Sequence, residues 1–136
     1  MGSASDYLEN NLINHIFRTS SYSKPTHLYV ALYTSNPSDS GGGTEVSMTG
    51  YSRVQRDPLD TNWAATSGTD GTTSNSAVLD FGTWSSGGPV TVTGWAILDA
   101  SSSGNFIVWG SLTSSKTINN GDAFQIPANN LSVTID

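Results

Sequence analysis

In residues 26–34, THLYVALYT, the side chains alternate with a period of two. Leu28, Val30 and Leu32 fall on one side, and Tyr29, Ala31 and Tyr33 on the other. That period belongs to a pleated strand, where successive side chains leave opposite faces. Further segments read as strands: YSRVQR from Tyr51, SNSAVLDF from Ser74, VTVTGWAILD from Val90, NFIVWGSL from Asn105, AFQIP from Ala123 and LSVTID from Leu131. Turn signals separate them at Asp70-Gly71, Gly87-Gly88-Pro89, Ser103-Gly104-Asn105 and Asn120-Gly121-Asp122. Many short strands with glycine-rich turns predict a mainly β chain. The expected fold is an antiparallel β-sandwich, jelly-roll or immunoglobulin-like, over residues 26–136.

One segment breaks the pattern. In residues 3–18, SASDYLENNLINHIFR, Leu8, Leu12 and Ile16 recur every four residues, with Ile13 and Phe17 beside them. This spacing predicts an N-terminal helix. Ser3 or Ser5 can cap it, and Asp6 and Glu9 sit where the helix dipole favours negative charge. The apolar stripe has two readings: it docks on the domain's own core, or it packs on a neighbouring subunit. With 136 residues, helix and strands make one domain, residues 1–136, large enough to bury a core.

Charge narrows the partners. Only 12% of residues are charged, and the net charge is −6. Up to Arg56, four acidic residues balance Arg18, Lys24, Arg53 and Arg56; from Asp57 onward seven aspartates face Lys116 alone. Such a surface is poor for nucleic acid or an anionic membrane, so neither is expected as a partner. No 18-residue apolar run suggests a membrane span. The N-terminus lacks the basic start and apolar core of a signal peptide, so assembly in the cytoplasm is expected. With no cysteine, disulfides and thiolate metal sites are excluded.

The residues that carry chemistry are sparse. His15 and His27 have no second ligand at metal spacing, and each is read as structural. No G-x-S-x-G elbow supports a serine hydrolase. Asp70, Asp99 and Asp122 stand at turns, where turn chemistry accounts for them. The expectation is a protein that is not an enzyme, with no cofactor and no metal. Trp84, Trp95 and Trp109 lie in or beside strands and read as core. Trp63 sits in a long polar loop, residues 57–71, either as an interface anchor or packed beneath the loop.

Residues 35–53, SNPSDSGGGTEVSMTGYSR, hold three consecutive glycines. A phosphate-binding loop would lead into a helix and carry a lysine. Here extended-looking chain follows and no lysine does. A linker would need a second domain. The stretch therefore reads as an ordered loop with few side chains to limit close approach.

The set ASDYLENNLINHIF, LYVALYTSNPSDSGGGTEVSMTGYSRV, TSNSAVLDF and GWAILDA resembles a family of small virion proteins of tailed bacteriophages, described as tail-fibre-like. The resemblance covers nearly the whole chain and is most specific in the first half. It implies a non-enzymatic, homo-oligomeric structural part of a phage particle, located in the virion. The chain has no heptads or collagen-like repeat to give a fibre its length. The reading taken is a homotrimeric capsid decoration (cement) protein that stabilises the head and contacts the major capsid protein. The alternative is a tail or tail-fibre protein, contacting tail proteins and a host-surface receptor. Residues expected at contacts are Leu8, Leu12 and Ile16 on the helix, Gly41, Gly42, Gly43, Thr44 and Glu45 in the loop, and Tyr51, Arg53 and Trp63. For Arg53 and Arg56 the alternative is a local salt bridge with Glu45 or Asp57.

Overall fold

The computed structural model describes residues 2–135. Its centre is the alternating segment met above. Strand β2 (Tyr29–Ser35) pairs antiparallel with β7 (Val90–Leu98), in register from Tyr29 opposite Leu98 to Tyr33 opposite Gly94. β7 pairs in turn with β8 (Phe106–Ile118). The short strands β3 (Thr44–Glu45) and β4 (Val54–Gln55) line the other edge of β2. Beyond β8 come β1 (Gly2–Ala4), then β10 (Ser132–Thr134), then β5 (Thr72–Ser74). A separate two-stranded ribbon, β6 (Leu79–Thr83) with β9 (Ala123–Ile126), completes a β-rich, sandwich-like fold with one N-terminal helix, α1 (Asp6–Phe17).

Both faces of β2 are buried, and each belongs to a different cluster. Val30 and Leu32 join the main core with Trp95, Ile97, Val92 and Val108 of β7 and β8. The ribbon packs Leu79, Phe81, Phe124 and Ile126 into that same core. Trp84 stands at its centre with no exposed surface. It stacks on Phe124 at 5.9 Å, meets Tyr51 edge-on at 5.5 Å, and donates from Nε1 to the Phe81 carbonyl at 2.9 Å. Such aromatic pairs add about 0.5–1.5 kcal/mol each beyond area burial. On the opposite face Ala31, Tyr33, Ala96 and Leu98 form a second cluster, flanked by Phe106 and Trp109. A one-residue slip of β2 would exchange the two sets, so burial on both faces fixes its register.

Several elements differ from the sequence expectation. The helix does not begin at residue 3: residues 2–4 are strand β1, wedged between β8 and β10. Gly2 lies against the Trp95 indole so closely that a Cβ there would collide with the ring. Of the two candidate caps, Ser5 is the one used: it accepts from the Leu8 amide at 3.2 Å and donates from Oγ to the Phe106 carbonyl. The strand expected from Tyr51 shrinks to Val54–Gln55, because Tyr51 and Arg53 turn inward to bind other segments. The strand expected from Ser74 is broken at Asn75. That residue is fully buried and serves as a hub: Nδ2 donates to the Ala77 and Pro127 carbonyls, and Oδ1 accepts from the Leu131 amide. β8 runs to Ile118, six residues past the expected end, because Val90, Thr91 and Val92 of β7 give it a pairing partner there.

Candidate assembly surface

The helix divides its apolar residues between core and solvent. Leu8 is 6% exposed and Leu12 packs against the main core, but Ile13, Ile16 and Phe17 are 56%, 66% and 78% exposed. The geometry explains the split. At about 100° per residue, each step of four overshoots a full turn by roughly 40°. The stripe Leu8, Leu12, Ile16 therefore winds off the core, and Phe17, nine residues on, lies opposite Leu8. The helix end is nonetheless held in place. The Tyr22 amide donates to His15 Nδ1 at 3.1 Å, and the Tyr22 ring meets Tyr7 edge-on at 6.3 Å.

Beside the first turn of α1 lies a groove of about 500 Å³. Leu8, Leu28, Leu59, Trp63, Val133 and Ile135 belong to its apolar wall, and Lys24 and Asp60 are its charged groups. Trp63 is half-buried. Its Nε1 donates to the carbonyls of Arg56 and Asp57 at 3.3 and 3.2 Å, so it is packed under its own loop with one face on the groove. Leu59 and Ile135, on the rim, are both largely exposed.

The glycine loop lies across the outer face of the sheet. All three glycines have positive φ, at 92°, 80° and 75°. They are not equivalent. A Cβ on Gly41 would stand 2.9 Å from the Phe106 ring, and one on Gly43 would stand 2.5 Å from the Ser35 carbonyl oxygen. A Cβ on Gly42 would meet nothing within 4 Å. A side chain has no room at Gly41 or Gly43, whereas Gly42 has open space beside it; Gly42 and Gly43 are both exposed to solvent. Asp39, in the same loop, accepts from Trp109 Nε1 at 2.9 Å and covers the second cluster.

Glu45, Tyr51 and Arg53 come together as one internal group. Arg53 grips the Glu45 carboxylate with two bonds, Nε to Oε1 at 2.9 Å and Nη2 to Oε2 at 2.8 Å. Its Nη1 donates to the Ala100 and Ser103 carbonyls at 2.7 and 2.8 Å. Tyr51 donates to Glu45 Oε1 at 2.8 Å and accepts from the Leu32 amide at 3.0 Å. Burial pushes the Glu45 carboxyl up, but hydrogen bonds from Arg53 and Tyr51 and the guanidinium charge outweigh it, so its pKa is lowered. Burial drives the Tyr51 hydroxyl far above its ordinary range. Arg53 takes the local-pair alternative with Glu45. Arg56 pairs with neither carboxylate named for it, and instead donates to the Gln55 and Val78 carbonyls.

Among the residues named as contacts, Leu8, Leu12, Gly41, Tyr51 and Arg53 are therefore engaged within the chain. Glu45 is engaged likewise, Ile16, Gly42, Gly43 and Thr44 are exposed, and Trp63 is shared between loop and groove. Sequence reasoning did not single out Asn75, Leu59 or Ile135; no periodicity marks Leu59, whereas Ile135 continues the alternation of Leu131 and Val133. The turn aspartates act as turn residues: Asp70 accepts from the Thr72 amide, Asp99 from the Asn105 amide and Asp122 from the Asn119 amide. Trp84 and Trp95 are core, and Trp109 flanks the second cluster. Among the described residues no three His, Cys, Asp or Glu side chains gather as a metal site.

A family model described as "Podophage GP4 fiber I protein gp80" matches residues 3–134. The chain belongs to this podophage fibre family. No curated protein gives a significant match. Membership makes the fibre-family chain a phage structural protein and a component of the virion. It also corrects the order of the two placements drawn from the sequence: a fibre fits better than capsid decoration. The absence of heptads, which had favoured decoration, describes how this chain is not lengthened. It carries no information on where the chain sits.

Proposed function

We propose that the chain is a non-enzymatic module of a podophage tail fibre, present as a homo-oligomer and serving attachment to the host. The observation that carries this reading is the family match, which spans α1 and nearly every strand and is not confined to one motif. The fold is compatible with it. A compact module contributes to a fibre by repetition or by seating on other tail proteins, and many weak contacts acting together resist shear.

Electron microscopy of particles labelled with gold-conjugated antibody against the chain tests the placement. The expected result is label at the tail, in few copies per particle. Dense label over the head, in stoichiometric number, would refute the fibre reading in favour of decoration. Particles lacking the chain should also adsorb less well to host cells; unchanged adsorption would remove the attachment role.

A further inference from the structure

We propose that a second hollow, lined by β8, β9 and the start of β10, is a saccharide-binding site that takes one sugar unit of a host-surface glycan. The inference rests on the attachment role proposed above and names its ligand class. The hollow measures about 240 Å³. That is below the roughly 300–1,000 Å³ of clefts for drug-sized ligands, and it suits a single ring.

β8 is distorted where it lines the hollow. Val92 of β7 stands opposite Lys116 and Gly94 opposite Ser111, so Thr93 alone faces residues 112–115. Bulges bend a strand and re-aim its side chains, and they are over-represented beside functional sites. This one brings Ser111, Thr113 and Ser114 into the lining, followed by Lys116. Among the described residues, the pairing of β1 with β8 ends at Gly2 opposite Gly110, so β1 does not cover the bulge. From β9 and the chain entering β10 come Gln125, Asn130 and Ser132. Trp95, Phe124 and Leu131, each nearly buried, supply the apolar part of the surface.

The polar groups are free to take a ligand. Gln55 and Asn75 spend their side-chain amides within the chain; among the described residues, Gln125 and Asn130 do not. Ser111 Oγ accepts from Asn36 Nδ2 at 2.8 Å and keeps its own proton to donate. Water satisfies such groups in the free protein, and the hydroxyls of a sugar replace it bond for bond while the C–H face of the ring meets the apolar surface. Other ligands fit less well. An aliphatic one would strip the water and return no hydrogen bonds. A phosphate-rich one would find a single cation, Lys116, in a chain of net charge −6. An added peptide strand needs a regular free edge, which the bulge breaks. One sugar in so small a site binds weakly, and copies acting together supply the strength.

The test is titration of the isotope-labelled full chain, followed by amide NMR. The probes are glucose, galactose, rhamnose, N-acetylglucosamine and glucuronic acid, each added alone into the high millimolar range. At least one should shift the amide signals of residues 112–116, Gln125 and Asn130 in a saturable way. Gln125→Ala and Asn130→Ala combined should weaken that sugar about ten-fold, as expected for two lost hydrogen bonds, and Ser101→Ala, at the far tip of the β7–β8 hairpin, should not. Thr113→Val replaces Asn130→Ala if the spectrum shows the combined variant unfolded. Shifts with none of the five sugars, shifts that do not saturate, or shifts elsewhere on the chain overturn the site. Saturable shifts that the combined variant leaves unchanged overturn it too. Particles carrying the combined variant should adsorb less well to host cells. If adsorption falls only when the chain is missing altogether, the saccharide site is overturned and the attachment role stands. If adsorption is unchanged even then, the attachment role falls and the host glycan with it.

Discussion

Replacing Arg53 with methionine should destabilise the domain substantially, although the position is polar and lies outside the apolar core. The Arg53 side chain is 7% exposed and makes four hydrogen bonds, two to the Glu45 carboxylate and two to backbone carbonyls of residues 100 and 103. Methionine fills part of the volume and restores none of these bonds. Removing one member of a buried charged pair costs about 3–5 kcal/mol. Glu45 retains some access to water and keeps its bond from Tyr51, which places the cost nearer the lower end, about 3 kcal/mol. For a domain of this size that corresponds to a fall in Tm on the order of 10 °C.

Thermal unfolding followed by circular dichroism, with urea titration at pH 7, measures it. The pH dependence identifies the cause. Glu45 has a lowered pKa in the folded state, so its contribution is fully present above its unfolded value. It is lost as pH falls through the lower folded value. In Arg53→Met burial acts against Tyr51 alone, which brings the folded pKa of Glu45 up toward its unfolded value, so the part of the acid loss owed to Glu45 should shrink. Glu45→Gln should lack that part of the acid transition while losing less stability at pH 7. An Arg53→Met protein within about 0.5 kcal/mol of wild type, the range of an ordinary surface change, would refute the reasoning.

The glycines should separate under substitution. Gly42→Ala should cost about 1–2 kcal/mol, the strain of a left-handed residue in open space, and Gly43→Ala clearly more because its Cβ meets backbone; urea unfolding compares them. Asn75→Ala should cost about 2–4 kcal/mol by leaving the Ala77 carbonyl and the Leu131 amide without this partner and the Pro127 carbonyl with the Asn130 amide alone, and amide exchange should quicken at Leu131. Ser5→Ala should cost about 1–2 kcal/mol through loss of the cap, read as a lower urea midpoint.

Much of the strand framework was readable along the chain. The alternation in residues 28–33, the run from Val90 and the run from Phe106 became β2, β7 and β8, and Ser5, Asp6 and Glu9 marked the helix start. These signals are local, because the backbone alone dictates which way each side chain leaves a strand or a helix. The resemblance to phage virion proteins was also drawn from the sequence, and the family match agrees with it at that level.

Tertiary structure decided the rest. Gly2–Ala4 carries no strand pattern, and becomes β1 only because β8 and β10 leave a slot that its backbone groups fill. Arg53 and Arg56 look alike in sequence, yet one grips Glu45 and two carbonyls across the hairpin while the other lies along Gln55 and Val78. Leu8 and Ile16 lie on a stripe that winds around the helix, and the position of the sheet beneath decides which end of it is covered. In each case the deciding partner is distant in sequence, and periodicity records the direction of a side chain but not what lies opposite it.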